Sequence, residues 1–362
     1  MRIKKLPILI FICLPALIAA SCNPTQSAVS PTPTQAPLPT HTLVPTFPAT
    51  VTLTQPPLPT DTPTSTVPCF VTYIDPFAFL PDSMSLLVRA EMGVQQFNLQ
   101  SMQQEQFINS PSNLNGPVVT ISPDGETLAW ALEDGMIQLV RVSDQAMFPS
   151  INSGQTSPIK LEFDPAGDRL FSASHDGTLK VWDMDGKPLN GFQPGGGELM
   201  NIDLSPDGTM LATITSDGVI TLWNADNFKI ITGLSGSGGY DTSDVVFSPD
   251  GKYIAADLAT GLFMWKMPDR KELLGASSAI NSMAVTYAPD GSLLAYSDLN
   301  HIILSSLDGS QTIRTLEGHQ SPIFELIFSP DSSALVSADD MEIRVWRVLD
   351  GELLAIGKNT CP

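Results

Sequence analysis

The chain has 362 residues, which is enough for one large domain or two ordinary ones. Its 38 Asp and Glu residues outnumber its 18 Lys and Arg residues, and the formal net charge is −20. An acidic surface repels phosphate groups, so nucleic acid is excluded as an expected partner, and the charge otherwise serves solubility.

The first 21 residues have the pattern of an export signal. Arg2, Lys4 and Lys5 give the segment a positive start, and 6–20 is an uncharged, apolar run of fifteen residues. Such a run has the length of a signal-peptide core and is short for a membrane span. The segment therefore predicts that the protein is exported.

Three small residues, 19–21, come directly before Cys22. This arrangement resembles the lipobox of bacterial lipoproteins, although Ala19 stands where that family usually has Leu. The resemblance implies that Cys22 is acylated, and that the protein is lipid-anchored to the bacterial cell membrane with its folded part outside the cytoplasm. The alternative is ordinary signal cleavage beside an incidental cysteine.

Residues 22–68 are dominated by Pro and Thr, as in 31–34 and 56–64. Proline removes backbone hydrogen-bond donors and favours the extended polyproline II conformation. The segment contains no apolar cluster large enough to bury. It is therefore predicted to be a disordered tether between the anchor and a folded domain at 69–362.

The folded domain is periodic. A turn motif of the form Ser-Pro-Asp-Gly recurs, whole in some repeats and as a variant in others, with its prolines at Pro81, Pro123, Pro165, Pro206, Pro249, Pro289 and Pro330. The spacings between them are 42, 42, 41, 43, 40 and 41 residues. A fixed period of this length indicates a repeat architecture.

The fourth repeat shows what one period contains. Its turn, Ser205-Pro206-Asp207-Gly208, has the residues that a type I turn prefers at each position. The segment before the turn alternates apolar and polar residues, and the segment after it is largely apolar on both faces. Four strands are predicted, at 200–204, 210–215, 219–223 and 228–231.

Four short antiparallel strands make one small sheet, and a sheet that is apolar on both faces must pack against others. Seven such sheets arranged around one axis bury these faces and leave only short edges. The predicted fold is all-β: a seven-bladed β-propeller of four-stranded antiparallel blades, preceded by the tether. A β-sandwich is the alternative, but it does not require so regular a repeat.

The repeats resemble WD repeats. The third strand ends in Trp182, Trp223, Trp265 and Trp346 in four repeats, and Asp183 completes a literal Trp-Asp pair. The corresponding residues elsewhere are Phe97, Val140 and Ser305. The segment 248–254 also resembles the repeats of periplasmic Tol-system propellers, which have the same architecture.

The WD resemblance implies a hydrogen-bond network of His, Ser or Thr, Asp and Trp within a blade. Carried onto this sequence, the network residues are Ser174, Asp176 and Trp182 in the third repeat, Thr215, Asp217 and Trp223 in the fourth, and His319, Asp340 and Trp346 in the seventh. Ala338 occupies the Ser or Thr position of the seventh repeat, so its network is expected to be broken.

Two cysteines belong to the folded domain. Cys69 precedes the first predicted strand and Cys361 is the penultimate residue, and the first and last blades of a closed ring are neighbours. Disulfides form in exported proteins, so a Cys69–Cys361 disulfide is predicted to fasten the ring. The alternative is a pair of unpaired thiols near frayed termini.

The sequence offers little sign of catalysis. The three histidines of the domain, His175, His301 and His319, lie in different repeats without metal-ligand spacing. No nucleophile motif, phosphate-binding loop or calcium loop is complete. No catalytic residue, metal or cofactor is therefore predicted, and the protein is not expected to be an enzyme.

The WD resemblance implies a binding scaffold or ligand-binding module for other proteins at the cell envelope. Residues in turns beside the network Asp positions are the candidate contacts: Glu133, His175, Ser216, Asp298 and Asp339. The acidic charge favours a basic partner or one bound through a cation. The alternative function is an extracytoplasmic hydrolase or lyase with Asp, Glu and His side chains at the mouth of a central channel.

Overall fold

A computed structural model describes residues 75–90, 93–101, 103–111, 118–132, 134–156, 158–235, 244–258, 260–274, 280 and 282–358. The signal segment, the tether and the candidate residues Cys22, Cys69, Glu133 and Cys361 lie outside this part of the chain. The lipidation site and the disulfide therefore stay predictions.

The described part forms seven antiparallel four-stranded sheets, each built from four consecutive strands. Blades one to three contain β1 (Asp75–Phe79), β2 (Ser85–Ala90), β3 (Gly93–Asn98), β4 (Gln103–Asn109), β5 (Val118–Ile121), β6 (Thr127–Ala131), β7 (Met136–Arg141), β8 (Ile151–Asn152), β9 (Pro158–Phe163), β10 (Arg169–Ser174), β11 (Leu179–Asp183) and β12 (Pro188–Phe192). The predicted propeller is confirmed.

Blades four to seven follow the same order. They contain β13 (Leu199–Leu204), β14 (Met210–Thr215), β15 (Val219–Asn224), β16 (Ile230–Ser235), β17 (Asp244–Phe247), β18 (Tyr253–Leu258), β19 (Gly261–Lys266), β20 (Lys271–Leu274), β21 (Val285–Tyr287), β22 (Leu294–Asp298), β23 (His301–Ser305), β24 (Thr312–Leu316), β25 (Glu325–Phe328), β26 (Ala334–Ala338), β27 (Glu342–Arg347) and β28 (Leu353–Lys358). Within the described residues no helix is long and apolar enough to cross a membrane.

The recurring turn joins the first and second strands of a blade. In blade four the Gly208 N–H donates to the Ser205 carbonyl oxygen at 2.7 Å, and the Ser205 hydroxyl donates to Asp207 Oδ1 at 2.6 Å. The same hydroxyl oxygen accepts from the Met210 N–H at 2.8 Å. Serine and aspartate therefore fix the turn from inside, which explains why the motif recurs.

The core consists of seven apolar clusters, one between each pair of neighbouring blades. Second strands such as β14 contribute to clusters on both sides, which is why they are apolar on both faces. One cluster joins Phe79, Leu86 and Phe97 of blade one to Val336 and Val345 of blade seven. Blades one and seven therefore pack directly, and the ring closes.

The ring closes without an exchanged strand. Blade seven consists of β25–β28, all from the end of the chain, and blade one of β1–β4, all from its beginning. The Asp331 N–H also donates to Ser83 Oγ at 3.0 Å across this junction. The sequence-based expectation that the last repeat supplies its own fourth strand agrees with β28.

The blades define a channel and two faces. First strands of neighbouring blades lie against one another and form the inner ring around the channel. The upper face is defined here by the turns between second and third strands and by the loops between blades. The lower face contains the Ser-Pro-Asp-Gly turns. Each first strand thus runs from the upper face to the lower face.

Candidate functional site

Blade seven contains a complete buried hydrogen-bond network. Trp346 Nε1 donates to Ser337 Oγ at 2.8 Å, and that oxygen lies 2.6 Å from His319 Nε2. His319 Nδ1 lies 2.8 Å from Asp339 Oδ2. Since a carboxylate only accepts, Nδ1 carries the proton and Nε2 accepts from the serine hydroxyl. The four side chains therefore form one donor–acceptor chain.

This network corrects the sequence-based assignment. Ser337 and Asp339 occupy the positions that were assigned to Ala338 and Asp340, so the network is not broken. Ser337 lies two residues after Leu335, the residue opposite Trp346, just as Ser172 lies two residues after Leu170, the residue opposite Trp182. The count back from Trp346 that gave Ala338 and Asp340 stopped one residue short of Ser337 and of Asp339.

Blades three and four also use different hydroxyls from those predicted. Trp182 Nε1 donates to Ser172 Oγ at 3.0 Å, and Trp223 Nε1 donates to Thr213 Oγ1 at 2.9 Å. Ser174 and Thr215 lie two residues further along, where the turn begins. The residue that bonds to the indole therefore lies opposite the third strand, in mid-sheet.

The predicted hydroxyls and aspartates instead shape the turns. Thr215 Oγ1 donates to Asp217 Oδ1 at 2.6 Å, and the Asp176 N–H donates to Ser174 Oγ at 3.3 Å. Asp176 also accepts from the Thr178 hydroxyl at 2.5 Å. These contacts hold the upper-face hairpins of blades three and four, but they do not reach the tryptophans.

Gln155 takes the histidine position of blade three. Its Nε2 donates to the carbonyl oxygens of Ser172 at 3.1 Å and Thr178 at 3.0 Å, and the side chain is buried. Residues 154–159 read Gly-Gln-Thr-Ser-Pro-Ile, against Gly-His-Gln-Ser-Pro-Ile at 318–323. This parallel is the sequence signal that predicts a buried, hydrogen-bonding role for Gln155.

The Ser–His–Asp constellation of blade seven is structural. His319 is 1% exposed and Ser337 is fully buried, so no substrate reaches the hydroxyl. Burial lowers the pKa of His319, which favours the neutral form that the hydrogen bonds require. The possible metal-ligand atoms of His319, Asp339 and Glu342 lie within 4.8 Å of one another. Both ring nitrogens of His319 are already hydrogen-bonded, however, and Glu342 Oε1 accepts from Arg344 Nε at 2.5 Å.

The candidate functional site is the upper mouth of the central channel. Several first strands, which line the channel, carry polar residues five and three residues before the turn proline. In the upper position the polar residues are Lys160, Asn201, Asp244 and Glu325, and in the lower position the acidic residues are Glu162 and Asp203. Second strands add Arg89, which is opposite Asp75, and Asp257, which is opposite Asp244. We call Lys160, Asp244, Asp257, Glu325 and Arg89 the mouth cluster.

Burial and crowding shift the ionisation of this cluster. Burial, followed by the nearby Asp244, raises the pKa of Asp257 to about 8 and that of Glu325 to about 8. Burial also raises the pKa of Asp244, against the opposing effect of Lys160. Burial lowers the pKa of Lys160, but the surrounding carboxylates, Asp244 first, outweigh it and raise the value overall.

The deeper carboxyl groups are perturbed in the same direction. Burial raises the pKa of Glu162 to about 7, and burial with the nearby Glu162 raises that of Asp203 well above its usual value. Burial lowers the pKa of Arg89, against the opposing effect of Glu325. Groups with such shifts gather at functional sites, and this cluster is a candidate on that ground.

Channel carboxylates also join neighbouring blades. Glu162 Oε1 accepts from the Leu204 N–H at 2.9 Å, and Asp203 Oδ2 accepts from the Phe247 N–H at 2.6 Å. The two bonds are equivalent, because each runs from the lower channel position of one blade to the first strand of the next. These two acids therefore have a structural role.

Asp244 and Asp257 are connected within blade five. Asp244 Oδ1 accepts from Asn201 Nδ2 at 2.6 Å, and Asp257 Oδ1 accepts from the Asp244 N–H at 2.5 Å. Asp257 is fully buried, and its Oδ2 has no hydrogen-bond partner among the described residues. Glu162 Oε2 is likewise unsatisfied there.

The predicted contact residues do not form one surface. Ser216 and Asp339 are buried: the Ser216 N–H donates to the Glu198 carbonyl oxygen, and Asp339 serves the blade-seven network. These two assignments were wrong, because the residues beside the turn fold inward. His175 is exposed, 4.0 Å from Glu198 Oε2, and Asp298 is half-buried.

Exposed apolar side chains mark the upper face of blades six and seven. Leu299 is 50% exposed, Phe324 37% and Met341 50%. The N–H of Ile323 donates to the Leu299 carbonyl oxygen at 3.0 Å, and that of Phe324 to the Ala338 carbonyl oxygen at 3.1 Å. The three side chains, here called the apolar patch, therefore lie on adjoining loops, next to Glu325 of the mouth cluster.

Sequence comparison matches three segments to the WD domain, G-beta repeat: residues 149–183, 186–224 and 310–347. Each match ends one residue after a blade tryptophan. A WD repeat-containing protein of Schistosoma mansoni is 31% identical over 117 residues, which are 32% of this chain and 39% of that protein.

Two further relatives are similar over shorter shares of their length. An uncharacterized WD repeat-containing protein of Synechocystis is 28% identical over 34% of this chain and 36% of its own length. A COMPASS component of Saccharomyces cerevisiae is 36% identical over 17% of this chain and 19% of its own. The matched regions thus span less than two fifths of any of these relatives.

Proposed function

From a seven-bladed β-propeller that carries WD repeats, we propose that this protein is an interaction scaffold that binds a protein partner on its upper face. The apolar patch carries the proposal. Leu299, Phe324 and Met341 are each at least 37% exposed on adjoining loops, and clustered exposed apolar side chains are typical of protein-binding surfaces.

The residues around the apolar patch indicate the chemical character of the proposed partner. Glu317 and Asp340 are exposed on the same loops, and Glu325 lines the channel mouth beside them. A surface that combines apolar side chains with carboxylates complements a segment that carries apolar residues and Lys or Arg. Electrostatic attraction then steers the encounter, and burial of the patch supplies the affinity.

The upper-face proposal is tested with a triple variant. Leu299→Ser, Phe324→Ser and Met341→Ser together remove the patch without touching a buried side chain. Cross-linking capture from envelope membranes is expected to recover a partner with the parent protein and to lose it with this variant. Leu349→Ser is the matched control, because Leu349 is 84% exposed on the lower face. Equal capture by the parent and the triple variant would contradict the proposal.

The proposed site of action is the bacterial cell envelope. The apolar run at 6–20 and the small residues before Cys22 support export and lipid anchoring. Metabolic labelling with a radioactive fatty acid is expected to label the parent protein and to leave the Cys22→Ser variant unlabelled and released from membranes. Equal labelling of both proteins would rule out Cys22 as the acceptor.

We propose binding as the function and an enzyme as the second candidate. The carboxyl groups of the mouth cluster, with the pKa of Glu325 and of Asp257 near 8, favour the enzyme hypothesis. The histidines that it also requires lie elsewhere: His319 in the buried network, His175 on an outer turn and His301 in β23. A binding function therefore explains more features of the channel mouth than an acid–base catalytic function does.

A further inference from the structure

The channel contains more acidic groups than its own cations can neutralise. Among the channel side chains that the structure describes, five carboxyl groups face two cationic groups, an excess of three; the carboxyl groups are Glu162, Asp203, Asp244, Asp257 and Glu325, and the cations are Lys160 and Arg89. Among the described residues, no carboxylate oxygen forms an ion pair with the Lys160 ammonium within 4.0 Å. Lys160 is therefore shared among several acids and neutralises none of them closely.

One carboxylate oxygen of this group, Asp257 Oδ2, is buried and has no hydrogen-bond partner among the described residues. Asp257 is fully buried, its Oδ1 is engaged by the Asp244 N–H, and its Oδ2 has no partner among the described residues. An unpaired buried carboxylate is costly unless it takes a proton or a cation approaches. A cation at the mouth therefore favours loss of the Asp257 proton, and the ionised Asp257 then adds negative potential behind Asp244.

The spacing of the acids indicates the kind of cation. The only group of three metal-ligand side chains within 4.8 Å of one another in the described part is His319, Asp339 and Glu342, away from the channel. The mouth acids are thus too far apart for three of them to ligate one metal ion. An organic cation is larger, and it forms hydrogen bonds with carboxylates that are further apart.

An exposed aromatic residue is the sequence neighbour of Glu325. Phe324 directly precedes Glu325 and is 37% exposed on the upper face. Guanidinium and alkylammonium groups are attracted to aromatic faces as well as to carboxylates. Such a group binds best where carboxylates and an aromatic face occur together. Glu325 and Asp244 supply the carboxylates, and Phe324 supplies the aromatic face.

We propose that the channel mouth binds an organic cation, an alkylammonium or guanidinium group, between Asp244 and Glu325. Asp257 supports the site from behind, and Phe324 covers its rim. The site shares Phe324 with the apolar patch, but its ligand is held by carboxylates, and the inference does not depend on the scaffold role.

Binding is coupled to proton release. The pKa of Glu325 and that of Asp257 are near 8, so both groups are largely protonated at neutral pH, and a bound cation lowers these values. The other charged groups that face them are Arg89, Lys160, Glu162, Asp203 and Asp244. The apparent Kd is expected to fall as pH rises, by about tenfold per pH unit for each proton released.

The test is isothermal titration calorimetry of the full chain with agmatine, at pH 7 and pH 8, in buffers with different ionisation enthalpies. Saturable binding with proton release is expected, and it should weaken at least tenfold in Asp244→Asn and in Glu325→Gln. Both substitutions keep the shape of the side chain. Glu126→Gln, an exposed acid on a lower-face turn, is the matched control and should bind like the parent.

The source of the cation is distinguished in the same experiment. A blocked pentapeptide with a central Arg binds more tightly than agmatine if a protein partner supplies the group, and less tightly if the ligand is a free amine. Thermal unfolding confirms that each variant is folded. The proposal is overturned if neither probe gives saturable heat, if Glu325→Gln binds like the parent, or if calcium chloride binds at the mouth more tightly than agmatine.

Discussion

At the level of single residues, tryptophan positions were predictable and their partners were not. Trp182, Trp223 and Trp346 lie where the repeat places them, opposite Leu170, Leu211 and Leu335. Their hydrogen-bond partners depend on the length of the hairpin between the second and third strands. In blade seven, two assignments lay one residue too close to Trp346.

The neighbouring acids Asp339 and Asp340 provide a test of the corrected network. Asp339 accepts from His319 Nδ1 and from two backbone N–H groups, whereas Asp340 is exposed. Asp339→Asn places an amide N–H against the histidine donor, and it should lower the free energy of unfolding by about 2–3 kcal/mol. Asp340→Asn should change it by less than about 0.5 kcal/mol. Urea denaturation measures both, and equal effects would restore the original assignment.

At the level of elements, the recurring turn was the best predicted feature. Its hydrogen bonds are local, so residues close in sequence contain all the information that specifies it. The predicted strands of blade four agree with β13, β14 and β15, and β16 begins two residues later than expected, at Ile230. Fourth strands lie at the outer edge, where half-exposed residues give a weak pattern.

Gly208 should be required by the turn that it closes. Its φ is +68°, a left-handed conformation that costs a residue with a Cβ about 1–2 kcal/mol. Gly208→Ala is therefore expected to lower the free energy of unfolding by about that amount. Gly233 lies in β16, where an added Cβ would meet nothing closer than 3.8 Å, so Gly233→Ala should be neutral or stabilising. Chemical denaturation of both variants measures the two changes in the free energy of unfolding. A larger destabilisation by Gly233→Ala than by Gly208→Ala would be inconsistent with this account.

At the level of the whole molecule, the period predicted the ring but not the chemistry of its channel. Lys160, Asp244 and Glu325 are separated by 84 and 81 residues, so no local motif connects them. Only their shared place five residues before a turn proline, combined with ring closure, brings them together. Local spacing therefore could not predict the mouth cluster, because its members come together only when the ring closes.

The channel acids should make the folded domain less stable at high pH. A carboxyl group with a raised pKa keeps its proton in the folded state, so its stabilising effect is present at low pH and is lost as pH rises through the folded value. For Glu325 that value is about 8. The melting temperature of the parent should fall between pH 6.5 and 8.5, and Glu325→Gln should reduce this fall while Glu126→Gln should not. A parallel decline in all three proteins would argue against Glu325 as the cause.

The predicted Cys69–Cys361 disulfide belongs to the same scale, because it would fasten the junction of blades one and seven. Intact-mass analysis of the exported protein should show a gain of two hydrogens on reduction and none in the Cys361→Ser variant. Loss of so long a cross-link should lower the free energy of unfolding by up to about 5 kcal/mol. An unchanged mass on reduction would show that the thiols are free.

The central claim is that the upper face around the channel mouth is the binding surface. Site-specific photo-cross-linking on cells tests this claim most directly. A photoreactive phenylalanine analogue replaces Phe324 in one protein and Leu349 on the lower face in another. The account predicts one discrete cross-linked species from position 324 and none from position 349. The species from position 324 should disappear when Glu325→Gln and Met341→Ser are introduced together. Cross-links from position 349 alone would contradict it.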